Sequence, residues 1–159
     1  MIRRAAVSVA FAVLLATTGQ GAASAAPGRV DIPKIGVHAQ ILKVGLTDTG
    51  SLAVAKRLRR TVYTWRNGDP PCDATGTTVY AGHAWRAGNG VADAWGSLRR
   101  GDRIQVSGCA FSVTRREFWS TDRSMRKLFT VGGPPQVVLI SCKADDYAQR
   151  VVVFAEKVR

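Results

Sequence analysis

Cys142, His83 and Arg150 are the side chains of this sequence whose types could do chemistry together. The chain carries three cysteines, an odd count. In a protein that leaves the cytoplasm cysteines tend to pair, so a leftover thiol is a candidate tool. A thiolate attacks a carbonyl, an imidazole moves protons, and a guanidinium steadies the oxyanion that develops; these are the parts of an acyl-transfer site. Taken singly, each residue has a commoner, inert use. A buried cysteine is usually a small hydrophobe, a histidine beside glycine a turn residue, and an arginine at a strand start a solvated charge.

The elements that must position them are read from period. Val137-Val138-Leu139-Ile140 precedes Cys142 and reads as a buried strand; Val151-Val152-Val153-Phe154 follows Arg150 and reads as another. If the two form an antiparallel hairpin, Cys142 and Arg150 are neighbours at one rim. Residues 77–81 form a strand candidate that ends at Gly82-His83. Ile35, Val37, Ala39 and Ile41 alternate with polar residues, as on a half-buried strand, and His38 falls on its polar face as an exposed bystander. Leu52-Ala53-Val54, Ile104 with Val106, and Phe111 with Val113 add short strands. Asn67-Gly68-Asp69-Pro70-Pro71 and Gly132-Gly133-Pro134-Pro135 are breaks. Short helices are expected over residues 93–98 and from a Thr121 or Asp122 cap through Leu128. Short strands at this spacing, with no long helical pattern, argue for an all-β fold closed, or nearly closed, into a barrel.

Residues 1–26 have the pattern of a secretory signal: Arg3-Arg4, an apolar run over residues 5–16, then small residues through Ala25-Ala26. The run is short of the roughly 20 residues a membrane span needs. Cleavage near Ala25 or Ala26 is the reading; an uncleaved anchor is its alternative. Residues 27–159 suit one domain. The chain has 23 basic and 11 acidic residues, a formal charge of +12. Such a surface attracts anionic lipid heads or envelope polymers, beside the plainer use of keeping the protein soluble. No nucleic-acid recognition motif is present.

Across nearly everything after the signal, the motifs resemble the sortases, within them the actinobacterial class E/F type. Ile32-Pro33-Lys34-Ile35-Gly36-Val37-His38-Ala39 is similar to that family's first-strand pattern, and Val44-Gly45-Leu46 to the turn after it. Tyr63-Thr64-Trp65 with Gly76-Thr77-Thr78-Val79-Tyr80-Ala81-Gly82-His83 resembles the lead-in to its catalytic Gly-His. Ala94-Trp95-Gly96-Ser97-Leu98 with Gly101-Asp102-Arg103-Ile104-Gln105-Val106, and Leu139-Ile140-Ser141-Cys142 with Arg150-Val151-Val152-Val153, follow in family order. Ser141 stands where threonine is usual, Trp95 where phenylalanine is, and Ala84-Trp85 follows His83.

The resemblance implies a closed eight-stranded β-barrel with short helices in its connections. It implies cleavage of an LPXTG-like sorting signal of surface proteins at the outer face of the cell envelope. Transfer would then follow to an amine acceptor of the cell-wall or pilin type. Cys142 would be the nucleophile, His83 the acid and base, Arg150 the oxyanion and substrate holder, and Ser141 a substrate contact. No cofactor or metal is expected. The rivals are a hydrolase using the same site, and a non-catalytic secreted β-domain that binds anionic envelope polymers. A papain-like protease does not fit the length or the residues around Cys142. Pairing Cys72 with Cys109 spares Cys142; sequence leaves the other two pairings open.

Overall fold

Alternation of apolar and polar residues decides which parts of this chain become strands, and pairing then closes them on themselves. In the computed structural model the described residues are 28–158, apart from Thr49, Ala74, Thr130 and Val131; the signal-like segment lies outside them. Eight strands appear in chain order: β1 (Arg29–Ile32), β2 (Val37–Val44), β3 (Val62–Trp65), β4 (Thr77–Gly82), β5 (Arg103–Val106), β6 (Cys109–Ser120), β7 (Gln136–Cys142) and β8 (Gln149–Lys157). They form a closed barrel in the order β1-β2-β3-β4-β7-β8-β6-β5. The β2–β3 and β4–β7 pairs are parallel and the rest antiparallel. Closure gives every strand two neighbours in the barrel.

Inside the barrel lie Val30, Ile32, Val37, Ala39, Val62, Tyr80, Ile104, Phe111, Val137, Leu139 and Val153, with Trp95 and Leu98 beside them. A second apolar cluster sits on the outside of β4, β7 and β8: Val79, Val138, Val152 and Phe154, covered by Trp119 and Leu128. Strands apolar on both faces read as unbroken runs rather than alternations, which is why β7 and β8 look as they do in sequence.

The twelve-residue β6 serves both clusters by changing phase. Its register against β8 shifts between Val113 and Arg115, a bulge at Thr114. Before it, Phe111 and Val113 face inward; after it, Trp119 faces outward beside Phe154. An added residue flips every later side chain to the other face.

Several local expectations change. Ile35 lies in a 3₁₀ turn, Pro33–Ile35, and the strand begins after Gly36, whose φ of 62° is the left-handed conformation glycine tolerates. The stretch around Leu52 reduces to one bridge with Leu46. Residues 93–98 contain a single 3₁₀ turn, Trp95–Ser97. Thr121 and Asp122 cap no helix. Within residues 121–128 the helical turn is Arg126–Leu128, and Asp122 instead takes the hydrogen bond of the Ser120 hydroxyl. That local bond competes with capping. His38 is exposed, and its Nδ1 lies 2.8 Å from Asp31 Oδ1. Among the described residues no helix is long and apolar enough to cross a membrane.

Candidate active site at the barrel mouth

The β7–β8 hairpin pairs Cys142 directly with Arg150. Cross-strand partners hold their Cβ atoms about 4.5–5.5 Å apart. On its other side β7 runs parallel to β4, with Ala81 opposite Ile140. Two residues further along each chain stand His83 and Cys142, at the same end. On the far side of β8, Trp119 is the partner of Arg150. Trp119, Arg150, Cys142 and His83 therefore form a row across β6, β8, β7 and the end of β4. By parity Trp119, Arg150 and Cys142 belong to the outward face, the face of Val79, Val138 and Val152, and His83 follows directly on the end of β4.

Ser141 is not in this row. It faces the opposite way, 4% exposed, and its hydroxyl meets no hydrogen-bond partner among the described residues. Adjacent residues on a strand point to opposite faces, so a side chain beside Cys142 in sequence does not share its surroundings.

Cys142 is exposed and free. The other two cysteines, Cys72 and Cys109, form a disulfide with Cα atoms 5.6 Å apart, at the far end of the barrel where β6 begins.

His83 is half-buried and held from several directions. Its Nε2 lies 3.0 Å from the Ala55 carbonyl oxygen. A carbonyl only accepts, so Nε2 carries the proton in the neutral ring and Nδ1 is left to take one. The Tyr63 and Trp85 rings meet the imidazole edge-on, at centroid distances of 6.1 and 6.4 Å. The Tyr63 hydroxyl donates to the carbonyls of Ala55 (3.1 Å) and Leu58 (3.3 Å). Burial pushes its pKa up, so it stays a donor. Gly82 is required just before His83. A Cβ there would lie 2.8 Å from Trp95 Cη2 and 2.8 Å from Val91 Cγ1. After His83, the Asp93 carboxylate receives the backbone N–H groups of Trp85 (2.6 Å) and Gly90 (2.8 Å), closing a tight loop.

Two further contacts join the connections around the mouth, and sequence reasoning had singled out neither. Tyr147, between Cys142 and Arg150, accepts a hydrogen bond from the Arg86 backbone N–H (2.9 Å) and donates to the Ala84 carbonyl (3.0 Å). It ties the hairpin of Cys142 to the segment that leaves His83. Arg150 Nη1 donates to the Arg123 carbonyl at 3.2 Å. The Arg123 guanidinium in turn lies 3.7 Å from the Trp119 ring centroid. Glu117 fixes Trp119 from the other side, accepting from its indole N–H (2.6 Å) and from Arg115 Nε (2.8 Å). The indole hydrogen bond, with Arg115 beside it, holds the Glu117 carboxyl below its ordinary pKa. An aromatic residue in the connection between two candidate site residues was the available sign for Tyr147.

A cleft of about 310 Å³ opens at the same end between Phe118, Val151, Ala94 and the Lys143–Asp145 ion pair, and strand parity puts Phe118 and Val151 on the face opposite the row. Among the described residues no cluster of His, Cys, Asp or Glu could hold a metal ion. The arrangement is a free thiol between a cation and an imidazole on a rigid rim, which suits nucleophilic attack on a peptide carbonyl followed by proton transfer.

Comparison with known proteins agrees with this fold. The sortase-domain family model matches residues 30–158. The fold is similar to sortase C-1 from Actinomyces oris, with TM-score 0.68 and 22% identity, covering 83% of this chain and 73% of that one. It is similar to a Clostridium perfringens sortase D5 transpeptidase, with TM-score 0.64 and 21% identity, covering 84% and 79%. It is also similar to Listeria monocytogenes sortase A, with TM-score 0.66 and 18% identity, covering 85% and 88%. No curated protein sequence matches the chain. The matched family model spans all eight strands of the barrel, and on that ground the chain belongs to the sortase family, the cysteine transpeptidases.

Proposed function

We propose that this sortase-family chain cleaves an LPXTG-like sorting signal of surface proteins and joins the new carboxyl end to an amine acceptor of the cell-wall or pilin type. The observation that carries the reading is the direct pairing of Cys142 with Arg150, with His83 leading out of the adjacent parallel strand at the same end. The Cys142 thiolate attacks the scissile carbonyl, forming a C–S bond as the C–N bond breaks. His83 gives its proton to the leaving amine. The incoming amine then attacks the thioester, the C–S bond breaks, and His83 takes the proton back. Arg150 cannot act as a base, since its pKa is above about 12, and holds the oxyanion instead.

Residues 1–26 direct export, and residues 27–159 act at the outer face of the envelope, near anionic membrane or wall components. The order and identity of the motifs support a class E/F type. Hydrolysis is the second reading: Cys142 is exposed, so water reaches the thioester as well as an amine does. Incubating the purified protein with LPXTG-like peptides, with and without an added amine, tests both. The expected result is a ligated peptide whose yield rises with amine. Cleavage insensitive to amine would assign hydrolysis, and an intact peptide panel would contradict the reading.

A further inference from the structure

We infer that residues 56–60, in the connection between β2 and β3, dock the barrel mouth onto an anionic lipid surface. Lys56, Arg57, Leu58, Arg59 and Arg60 are consecutive and all exposed. Four positive charges in five residues repel one another, and none pairs with a carboxylate among the described residues. An anionic partner relieves that repulsion.

The backbone under these side chains is not loose. The Ala55 and Leu58 carbonyls accept from Tyr63, and the Arg59 carbonyl accepts from the Val91 N–H at 2.7 Å. The Arg59 guanidinium rests 4.0 Å from the Trp85 ring centroid. Lys56, Arg57, Leu58 and Arg60 are thus displayed outward from a fixed base, at little further ordering cost on binding.

Leu58 decides between partners. It is 47% exposed in the middle of the cations. A soluble polyanion offers an apolar side chain no refuge, whereas the boundary of headgroups and acyl chains does. The Ala55 carbonyl that opens this stretch also holds His83 Nε2, so docking would bring the candidate site to the lipid surface. The inference deepens the envelope association named above. It does not depend on the chemistry of Cys142, so binding and turnover fail separately.

The test uses the full chain with vesicles of phosphatidylcholine alone, with vesicles containing phosphatidylglycerol, and with soluble polyphosphate. Amide exchange over residues 56–60 is expected to slow on the anionic vesicles only. The K56Q/R57Q/R60Q variant is expected to partition roughly a hundredfold more weakly, at about fivefold for each basic residue. Leu58→Ser should weaken vesicle binding and leave any polyphosphate binding unchanged. Both proteins keep the same amino-terminal segment, so the difference belongs to this connection. Unslowed exchange at residues 56–60 on anionic vesicles, or equal partitioning of variant and wild type, would overturn the inference. Stronger protection by polyphosphate than by vesicles would also overturn it, assigning the surface to a soluble polymer.

Discussion

The two ends of the barrel are tied by different kinds of bond. At the foot, the Cys72–Cys109 disulfide links the connection after β3 to the start of β6, and Lys157 Nζ donates to the Cys72 carbonyl at 2.7 Å. At the mouth, hydrogen bonds join the connections: Ala55 to His83, Tyr147 to Ala84 and Arg86, and Arg150 to Arg123. A disulfide across 37 residues removes unfolded-state freedom and contributes about 3–4 kcal/mol in the chain-entropy model. A single hydrogen bond contributes about 0.5–1.5 kcal/mol. On the proposed reading the mouth admits a peptide and releases a product, which weak ties suit; the foot has no such need. Stability and turnover should therefore be separable by position.

Substitutions at the mouth give the sharpest test of that separation. Cys142→Ala and His83→Ala should abolish peptide cleavage, and the exposed Cys142 should be replaceable without loss of melting temperature. Arg150→Ala should lower kcat/KM by about 10²–10³ through loss of an oxyanion donor. A melting temperature that collapsed in Cys142→Ala would break the comparison from one side.

The foot tests it from the other. The Cys72→Ser/Cys109→Ser double variant should lose about 3–4 kcal/mol in denaturant unfolding. Its rate of Cys142 alkylation should stay at the wild-type value wherever it remains folded. A changed alkylation rate would mean that the two ends are coupled.

Smaller effects are expected within the mouth. Tyr147→Phe keeps the ring under the Arg86 guanidinium but loses both hydrogen bonds. Turnover should fall roughly tenfold in kcat with KM little changed, on the order of one to two net hydrogen bonds. A rise in KM alone would assign Tyr147 to substrate binding rather than to positioning. The smallest effect is on acid stability. The indole N–H of Trp119 and then Arg115 lower the folded-state pKa of Glu117. Its contribution is therefore present above the unfolded value, about 4.3, and lost as pH falls through the folded one. The Glu117 side chain is 36% exposed, so screening keeps this below about 1 kcal/mol. Melting curves between pH 3 and pH 6 should be flatter for Glu117→Gln than for wild type.

How much of this was legible in sequence depended on how local the signal was. The Cys142–Arg150 pairing could be read because two apolar runs and a short connection leave an antiparallel hairpin as the simple solution, and the register agrees. The partnership of β4 with β7 could not, since two strands and their connections separate them in the chain and parallel pairing leaves no local mark. The outward turn of Trp119 was hidden for a related reason: the bulge at Thr114 reverses the alternation that Phe111 and Val113 begin. Strand parity alone puts Ser141 on the face away from Cys142, and it is buried there. Thr121 and Asp122 looked like caps, yet the Ser120 hydroxyl occupies the Asp122 carboxylate first.

The central claim is that the free sulfur of Cys142 is the nucleophile of a site shared with His83 and Arg150. Intact-mass analysis of the protein after incubation with an LPXTG-like peptide, without amine and quenched in acid, tests it most directly. The account predicts an acyl adduct that maps to Cys142, is released by hydroxylamine, and is absent from Cys142→Ala. Turnover without such an adduct, or an adduct that persists in Cys142→Ala, would contradict it.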